Sequence, residues 1–254
     1  IEIHNYWSLP KQVFEARGRS HSLGLVDAAN ELERRLRTSV SQHMRSDVPY
    51  GAFLSGGIDS ATIVALMQAQ SCKKIKTFSV GFTENSHDET KYSRAVAEHL
   101  GTDHHELRIE PSEIPDLVPE VMSFYDEPFA DNSAIPTHIV SKFAKKSVSV
   151  CLSGDGGDEL FGGYPRYFWA NRLQHLRKIL THSGSQLCAG LLHSLPSYFW
   201  EKIVNPMAGY RFSGADGLAY RVERFADYLG CYQKNAYQSA MSTWSDPSLL
   251  LDNL

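Results

Sequence analysis

Residues 54–60 read Leu-Ser-Gly-Gly-Ile-Asp-Ser. Two adjacent glycines let a backbone come close to a ligand, a helix start offers unpaired N–H groups, and Ser55 and Ser60 add hydroxyl donors. Together these make a cradle for an anion the size of pyrophosphate. The plainer alternative is a tight strand-to-helix turn in which Asp59 only complements the helix dipole. No lysine follows the glycines, so the Gly-x4-Gly-Lys-Ser/Thr loop is absent, and no Gly-x-Gly-x-x-Gly turn occurs. Kinase, GTPase and dehydrogenase readings lose their main support.

A second motif lies about a hundred residues on, where 152–164 read Leu-Ser-Gly-Asp-Gly-Gly-Asp-Glu-Leu-Phe-Gly-Gly-Tyr. Five glycines in ten residues surround Asp155, Asp158 and Glu159, which is too dense for a plain surface loop. Carboxylates beside a phosphate cradle call for a cation. Mg²⁺ held by Asp59 from one loop and Asp158 from the other would neutralise a triphosphate, because this ion typically takes one or two carboxylates together with phosphate oxygens and waters.

Both motifs need elements that bring them to one place. Leu25, Ala29, Leu32, Leu36 and Val40 fall on one helical stripe, with Glu31, Glu33, Arg34, Arg35 and Arg37 opposite. Ala52-Phe53-Leu54 reads as a short buried strand feeding the first loop, and 61–69 as the helix after it. The alternation repeats: strand 76–82, helix from about Glu89 to Leu100 ended by Gly101, strand 104–109, helices over 111–125 and 134–146, and strand 147–153. Such βαβ units predict an α/β fold, a parallel sheet flanked by helices, with both loops at the C-terminal ends of strands and facing one crevice. From 168 on, leucines at helical spacing and frequent aromatics predict a mainly helical region. The aromatic cluster from Tyr198 onward is read as helical core rather than a base-stacking surface.

Composition removes other classes. The chain has 254 residues, 42% hydrophobic, with 25 Lys plus Arg against 29 Asp plus Glu, a net charge of −4. That is the wrong sign for a broad nucleic-acid face. No apolar run approaches the roughly 20 residues needed to cross a bilayer, and no signal pattern opens the chain, so a cytoplasmic protein is expected. Cys72, Cys151, Cys188 and Cys231 are far apart and form no Cys-x-x-Cys pair, which gives neither a zinc site nor a disulfide framework. His104 and His105 adjoin Glu106, but neighbours on a strand point to opposite faces, which argues against a metal pair.

Ser-Gly-Gly-Ile-Asp-Ser at 55–60 resembles the pyrophosphate loop of the N-type ATP pyrophosphatases. With Tyr125-Asp126-Glu127-Pro128-Phe129-Ala130-Asp131-Asn132-Ser133-Ala134-Ile135-Pro136 and the 152–164 motif, the chain resembles the synthetase domain of glutamine-dependent asparagine synthetases over about Tyr6 to Tyr167. The resemblance implies an adenine nucleotide alpha hydrolase-like fold, with ATP and Mg²⁺ as cofactors. It also implies a ligase reaction: an aspartate side-chain carboxylate attacks the α-phosphorus of ATP, Mg-pyrophosphate leaves, and ammonia displaces AMP from β-aspartyl-AMP. A site that grips the β- and γ-phosphates stabilises pyrophosphate as the leaving group, whereas a kinase transfers the γ-phosphate.

By position in the family pattern, Leu54 and Val80 touch the adenosine end with Ser153 and Gly154. Ser55, Gly56, Gly57, Asp59 and Ser60 hold the pyrophosphate, with Ser55 and Asp59 acting in catalysis, and Asp158 shares the metal with Asp59. Asp155 stands where many relatives have Glu, at the position linked to the acyl-adenylate, and its shorter side chain draws the carboxylate back by about one C–C bond. Asp126, Glu127, Asp131 and Ser133 shape the aspartate pocket, with a helix-ending turn as the other reading of Asp126-Glu127-Pro128. His87-Asp88-Glu89 lies near nucleotide and substrate, with Asp88 and Glu89 reading equally as first-turn helix acids.

The same resemblance implies pieces that this sequence does not contain. Ammonia comes from an N-terminal glutaminase domain with an N-terminal Cys, where this chain has Ile1, and a later phosphate-contacting Lys segment is absent. The expected division is 1–20 as a linker from the glutaminase domain, 21–167 as the ATP-pyrophosphatase core, and 168–254 as an incomplete helical part. A homodimer stays open at this stage. Two other readings stay in view: a related amidotransferase or β-lactam synthetase-like enzyme acting on another carboxylate, and a non-catalytic nucleotide-binding module.

Overall fold

The computed structural model describes residues 4–17, 23–83, 90–126, 131, 133–204 and 217–230. Two compact units emerge, Ile1–Asp155 and Gly156–Leu254.

The first unit holds a four-stranded sheet of β1 (Tyr50–Phe53), β2 (Lys76–Phe82), β3 (Asp103–Ile109) and β4 (Val150–Leu152), in the order β3-β2-β1-β4. All three pairings are parallel. The chain steps outward from β1 to β3, then returns past β1 to lay β4 on its other side. The reversal makes the gap between the C-terminal ends of β1 and β4 a topological switch point, the usual place for a ligand in such sheets. As expected from the sequence, both glycine-rich loops leave from those two ends.

Helices α2 (Leu25–His43), α3 (Ile58–Gln68), α4 (Thr90–Leu100), α5 (Ile114–Met122) and α6 (Ala134–Ala144) provide the crossovers and cover. One core cluster joins Val40 of α2, Ala52 and Leu54 from β1 and its exit, Val64 and Met67 of α3, Ile75, and Ala97 of α4. On the other side of the sheet Phe78 of β2 packs with Ala144 and Val148, and meets Phe143 edge-on at 5.8 Å. Apolar cover on both faces of β1 and β2 is what a parallel sheet requires.

Several elements differ from expectation. Leu9–Arg17 forms a helix, α1, although its apolar residues have no clean period; every described side chain from Leu9 to Ala16 is exposed, so no buried face imposed one. The stripe on α2 reaches the core only at its C-terminal half, through Leu36 and Val40, while Leu25 is 88% exposed. β4 is three residues long rather than seven: after α6 the chain turns through 145–147, and Ser149 N–H donates to Pro49 O at 2.8 Å before pairing begins. His104 and His105 do face opposite ways, His104 bonding Thr77 and Ser79 and His105 stacking on Phe78 at 5.3 Å.

The second unit begins with a short helix, α7 (Gly157–Phe161), bracketed by left-handed Gly156 and Gly162. Next come the long α8 (Pro165–Ser194), a π-helical turn (Phe199–Val204) and α9 (Leu218–Gly230). Ala189 on α8 and Ala226 and Leu229 on α9 are buried, and Gly230 approaches the Ala189 side chain. His193 pairs with Asp227 at 3.3 Å, and Glu201 Oε1 accepts from Ala219 N–H at 2.9 Å, tying the turn to the start of α9. Of the aromatics read as core, Tyr228 is buried, but Tyr198 and Tyr220 lie mostly at the surface. No helix among the described residues is long and apolar enough to cross a membrane.

Candidate nucleotide site

Gly57 N-caps α3 in an extended conformation with no side-chain cap, so the first N–H groups of α3 find no intrahelical acceptor. Asp59 lies in that first turn, partly exposed. The strand residue before the loop, Leu54, is fully buried in the core, and its N–H continues the ladder to Phe78 O at 2.9 Å. Val80, one strand over in β2, is partly exposed. Ser55 and Gly57 are open to solvent, whereas Ser60 is 8% exposed.

The loop is closed by its own hydroxyls. Ser55 Oγ and Ser60 Oγ are 3.0 Å apart, Ser55 N–H donates to Ser60 Oγ, and Gly57 N–H donates to Ser55 Oγ. It is also seated on α4: Gly56 has φ +87°, and a β-carbon there would fall 2.7 Å from both Ser93 N and Tyr92 Cβ. The floor is main chain and Cβ of Tyr92 and Ser93, and Ser93 is itself buried, with its Oγ donating to Thr90 O at 3.0 Å.

The second loop crosses the same helix start. A β-carbon on Gly154 would lie 2.5 Å from Ser60 N and 2.7 Å from Asp59 C, so the two backbones touch where any side chain would block them. Ser153 Oγ donates to Asp155 Oδ2 at 2.9 Å, which orients an exposed carboxylate beside this contact. The structure thus brings Ser55, Gly56, Gly57, Asp59, Ser60, Ser153, Gly154 and Asp155 to one edge of the sheet. Asp158 belongs to the second unit, in the first turn of α7.

The residues expected to shape an acceptor pocket fare differently. Asp126 is exposed just beyond α5. Asp131 Oδ1 accepts from Ser133 N–H at 2.8 Å, so this carboxylate closes the turn that leads into α6, where Ser133 is the N-cap residue. Glu127 and His87-Asp88-Glu89 lie outside the described residues. A groove of about 460 Å³ between α5 and α6 is lined by Phe124, Tyr125, Thr137 and His138, with Glu120 and Lys142 paired at 2.6 Å; none of the glycine-loop residues borders it.

Sequence reasoning missed two supports. The α4 floor was hidden because it is mostly main chain, and the positive φ that Gly56 needs for this close approach was the one available signal. The other is the charged lock on β3, where Arg94 and Arg108 both bond Glu106 at 2.7 to 2.9 Å. Burial pushes the Glu106 carboxyl up, but the bonds from Arg108 and Arg94 win and hold it below the usual range.

Comparison with known families decides what this edge belongs to. The asparagine synthase family model matches residues 31–247. The chain belongs to the asparagine synthase family. It is 41% identical over 193 residues to a putative glutamine-hydrolysing asparagine synthetase 2 of Methanocaldococcus jannaschii, covering 74% of this chain and 36% of that protein. It is 45% identical over 168 residues to asparagine synthetase 1 of Bacillus subtilis, covering 63% and 26%, and 32% identical over 170 residues to asparagine synthetase B of Escherichia coli, covering 60% and 30%. The chain therefore spans about a third or less of the length of these asparagine synthetases. A solved NMN synthetase of Francisella tularensis aligns over 86% of this chain and 98% of its own at 14% identity, with a TM-score of 0.39. The named relatives do not favour the amidotransferase, β-lactam synthetase-like or non-catalytic readings.

Proposed function

We propose that this chain carries the ATP-handling half of a glutamine-hydrolysing asparagine synthetase, which adenylates aspartate with release of pyrophosphate and then forms asparagine with ammonia from a glutaminase domain. The observation that carries the reading is the seating of Gly154 on the first turn of α3. It brings the start of the second motif against the first at the switch point of the sheet, which supports reading the two as one site.

In this reading the α3 start and the Ser55 hydroxyl grip the β- and γ-phosphates. Gripping them strengthens as charge builds on the departing pyrophosphate, which is where stabilisation accelerates adenylation. Leu54 contributes backbone rather than side chain to the adenosine end, because its side chain is committed to the core. Asp155, held by Ser153, faces the acyl-adenylate.

Mg²⁺ fits the donor set in part. Among the described residues no group of three or more His, Cys, Asp or Glu could hold a metal ion, and Mg²⁺ typically takes one or two carboxylates together with phosphate oxygens and waters. Asp59 is the carboxylate this edge offers, and Asp158 is the second proposed ligand. The ion would neutralise the charge of the pyrophosphate.

The 1–20 linker, 21–167 core and 168–254 helical part remain the proposed division of roles, with aspartate and ammonia as substrates and the cytoplasm as the compartment. The test is aspartate-dependent exchange of labelled pyrophosphate into ATP by the full-length protein. Exchange that needs aspartate supports the reading; exchange driven by another carboxylate, or none with ATP bound, defeats it.

A further inference from the structure

The face of β2 and β3 that α4 covers is polar. Phe78 and His105 stack on the other face, so strand alternation turns Thr77 and Ser79 of β2 and His104 and Glu106 of β3 toward α4. Thr77 and Ser79 are buried, as are Thr90 and Ser93 of α4. One row of hydrogen bonds runs through this layer. Thr102 Oγ1 donates to Ala97 O of α4 at 3.5 Å, so the Thr77 hydroxyl, 3.1 Å away, donates to Thr102 Oγ1. Thr77 Oγ1 then accepts from His104 Nδ1 at 2.9 Å, which leaves Nε2 as the lone pair that accepts from Ser79 Oγ at 3.3 Å. His104 is thus a neutral ring with its proton on Nδ1.

A second proton has no place in that row. With Nε2 protonated, Ser79 must accept instead of donate, and among the described residues its buried hydroxyl has no other partner for the proton it then carries. The charged groups on this face are Arg94 from α4 and Glu106 and Arg108 from β3, and both arginines already share the one carboxylate. β2 offers the ring only hydroxyls, and Lys91, Glu98 and His99 of α4 are exposed. Burial is what most disfavours the charged ring; Glu106 opposes it, His105 and Arg94 add to it, and the outcome is a His104 held below the ordinary imidazole range.

We infer that His104 is an acid-operated latch, a positioning residue that in its neutral form holds α4 to β2 and β3 and lets go when Nε2 takes a proton. Tyr92 and Ser93 at the start of the same helix carry Gly56, so the latch sets how firmly that edge of the sheet is seated. A base held low in the folded protein contributes stability in full above the ordinary imidazole value, about 6.5, and loses it as pH falls through the folded one. The effect on nucleotide rests on the reading of this edge as an ATP site; the latch itself does not.

The test uses this chain and its His104→Asn and His105→Asn variants between about pH 5 and 8. Long-range ¹H–¹⁵N NMR should show the Nδ1–H tautomer of His104 at the upper end, titrating below the ordinary imidazole value. Amide protection of α4, corrected for intrinsic exchange, should fall about three- to tenfold more than that of β1 toward the lower end, the worth of one hydrogen bond. His104→Asn, whose side-chain N–H can replace Nδ1 but cannot titrate, should abolish this dependence, and His105→Asn, on the other face, should keep it. The ratio of ATP affinity between the unaltered and His104→Asn chains, in which the titration of ATP itself cancels, should fall by the same factor in acid.

An Nε2–H tautomer, a ring that titrates at or above its ordinary value, or α4 protection that declines equally in His104→Asn would overturn the latch. An ATP ratio that stays flat while α4 loosens would overturn its link to the site. If the unaltered chain binds no ATP at any pH, the ATP reading fails, and amide exchange and the ring titration then decide the latch.

Discussion

Gly154 and Ser60, ninety-four positions apart, meet backbone to backbone: a β-carbon on the first would lie 2.5 Å from the amide nitrogen of the second. One glycine thereby registers the loop after β4 against the helix after β1. Neither neighbour can yield, because both nearest atoms are main chain at the start of α3. Gly154→Ala should therefore destabilise the first unit by about 1–3 kcal/mol and weaken ATP at least about tenfold by lifting Ser153 and Asp155 off the helix. Urea denaturation and calorimetric ATP titration read the two effects, and unchanged ATP affinity would show that the loops act independently.

Gly56 and Gly156 share a φ of +87°, but only Gly56 has neighbours where a β-carbon would go. Alanine at 156 should cost only the strain of the left-handed conformation, about 1 kcal/mol. At 56 the same strain is joined by collision with α4, and the loss should be larger by about 1–3 kcal/mol. Comparing urea midpoints separates the two terms, and equal losses would remove α4 as the support of the loop.

Asp155 is exposed, and its carboxylate accepts from the Ser153 hydroxyl in its own loop. If it handles the adenylate rather than the nucleotide, Asp155→Asn should leave ATP affinity within about threefold while lowering aspartate-dependent exchange by about a hundredfold or more. Loss of both together would reassign it to nucleotide binding.

Burial pushes the Cys151 thiol up to about 11, whereas Cys72 is exposed. Since the thiolate is the reactive form, iodoacetamide at pH 8 should label Cys72 well before Cys151 in the native chain. The same shift sets an alkaline limit. A thiol whose folded pKa lies above its unfolded value contributes stability below about pH 9 that is lost as pH rises toward 11. Cys151→Ala should flatten that alkaline decline in urea midpoints, and labelling of both thiols at equal rates would contradict the burial.

Glu106 sets the opposite limb. Its carboxyl is held low by Arg108 and Arg94, so its contribution is present above the ordinary carboxylate range and disappears as pH falls through the folded value. Glu106→Gln should lower stability near pH 7 and narrow the gap to the unaltered protein in acid. A gap that stays constant with pH would mean that charge is not the source.

The sheet and its two loops were legible because their signals are local. β-branched and aromatic runs such as 76–82 can only be buried strands in this setting, and Gly-Gly after a strand marks a turn where backbone must meet a ligand. The length of β4 was not legible, since Ser147 to Ser149 alternate like a strand but are consumed by the exit from α6. Nor was the bonding of Asp131, whose side chain reads equally as a pocket acid or as the acceptor that closes the turn before α6. The motif assigns Leu54 to the adenosine end, but its burial in the core, which depends on residues far along the chain, leaves only backbone to serve that proposed role. The difference between Ser55 and Ser60 was invisible for a related reason: one loop residue faces water and the other faces the loop, and both are serine.

The pairing of β1 with β4 joins Tyr50 to Val150, whereas β1 meets β2 and β2 meets β3 across about twenty-five residues each. Closing a long loop is entropically harder and slower than closing a short one. That difference predicts that the three-stranded part forms first and that β4 docks last, bringing Gly154 down onto α3. The proposed nucleotide edge would then be the final product of folding in this unit, and nucleotide binding would double as a report that the sheet has been completed.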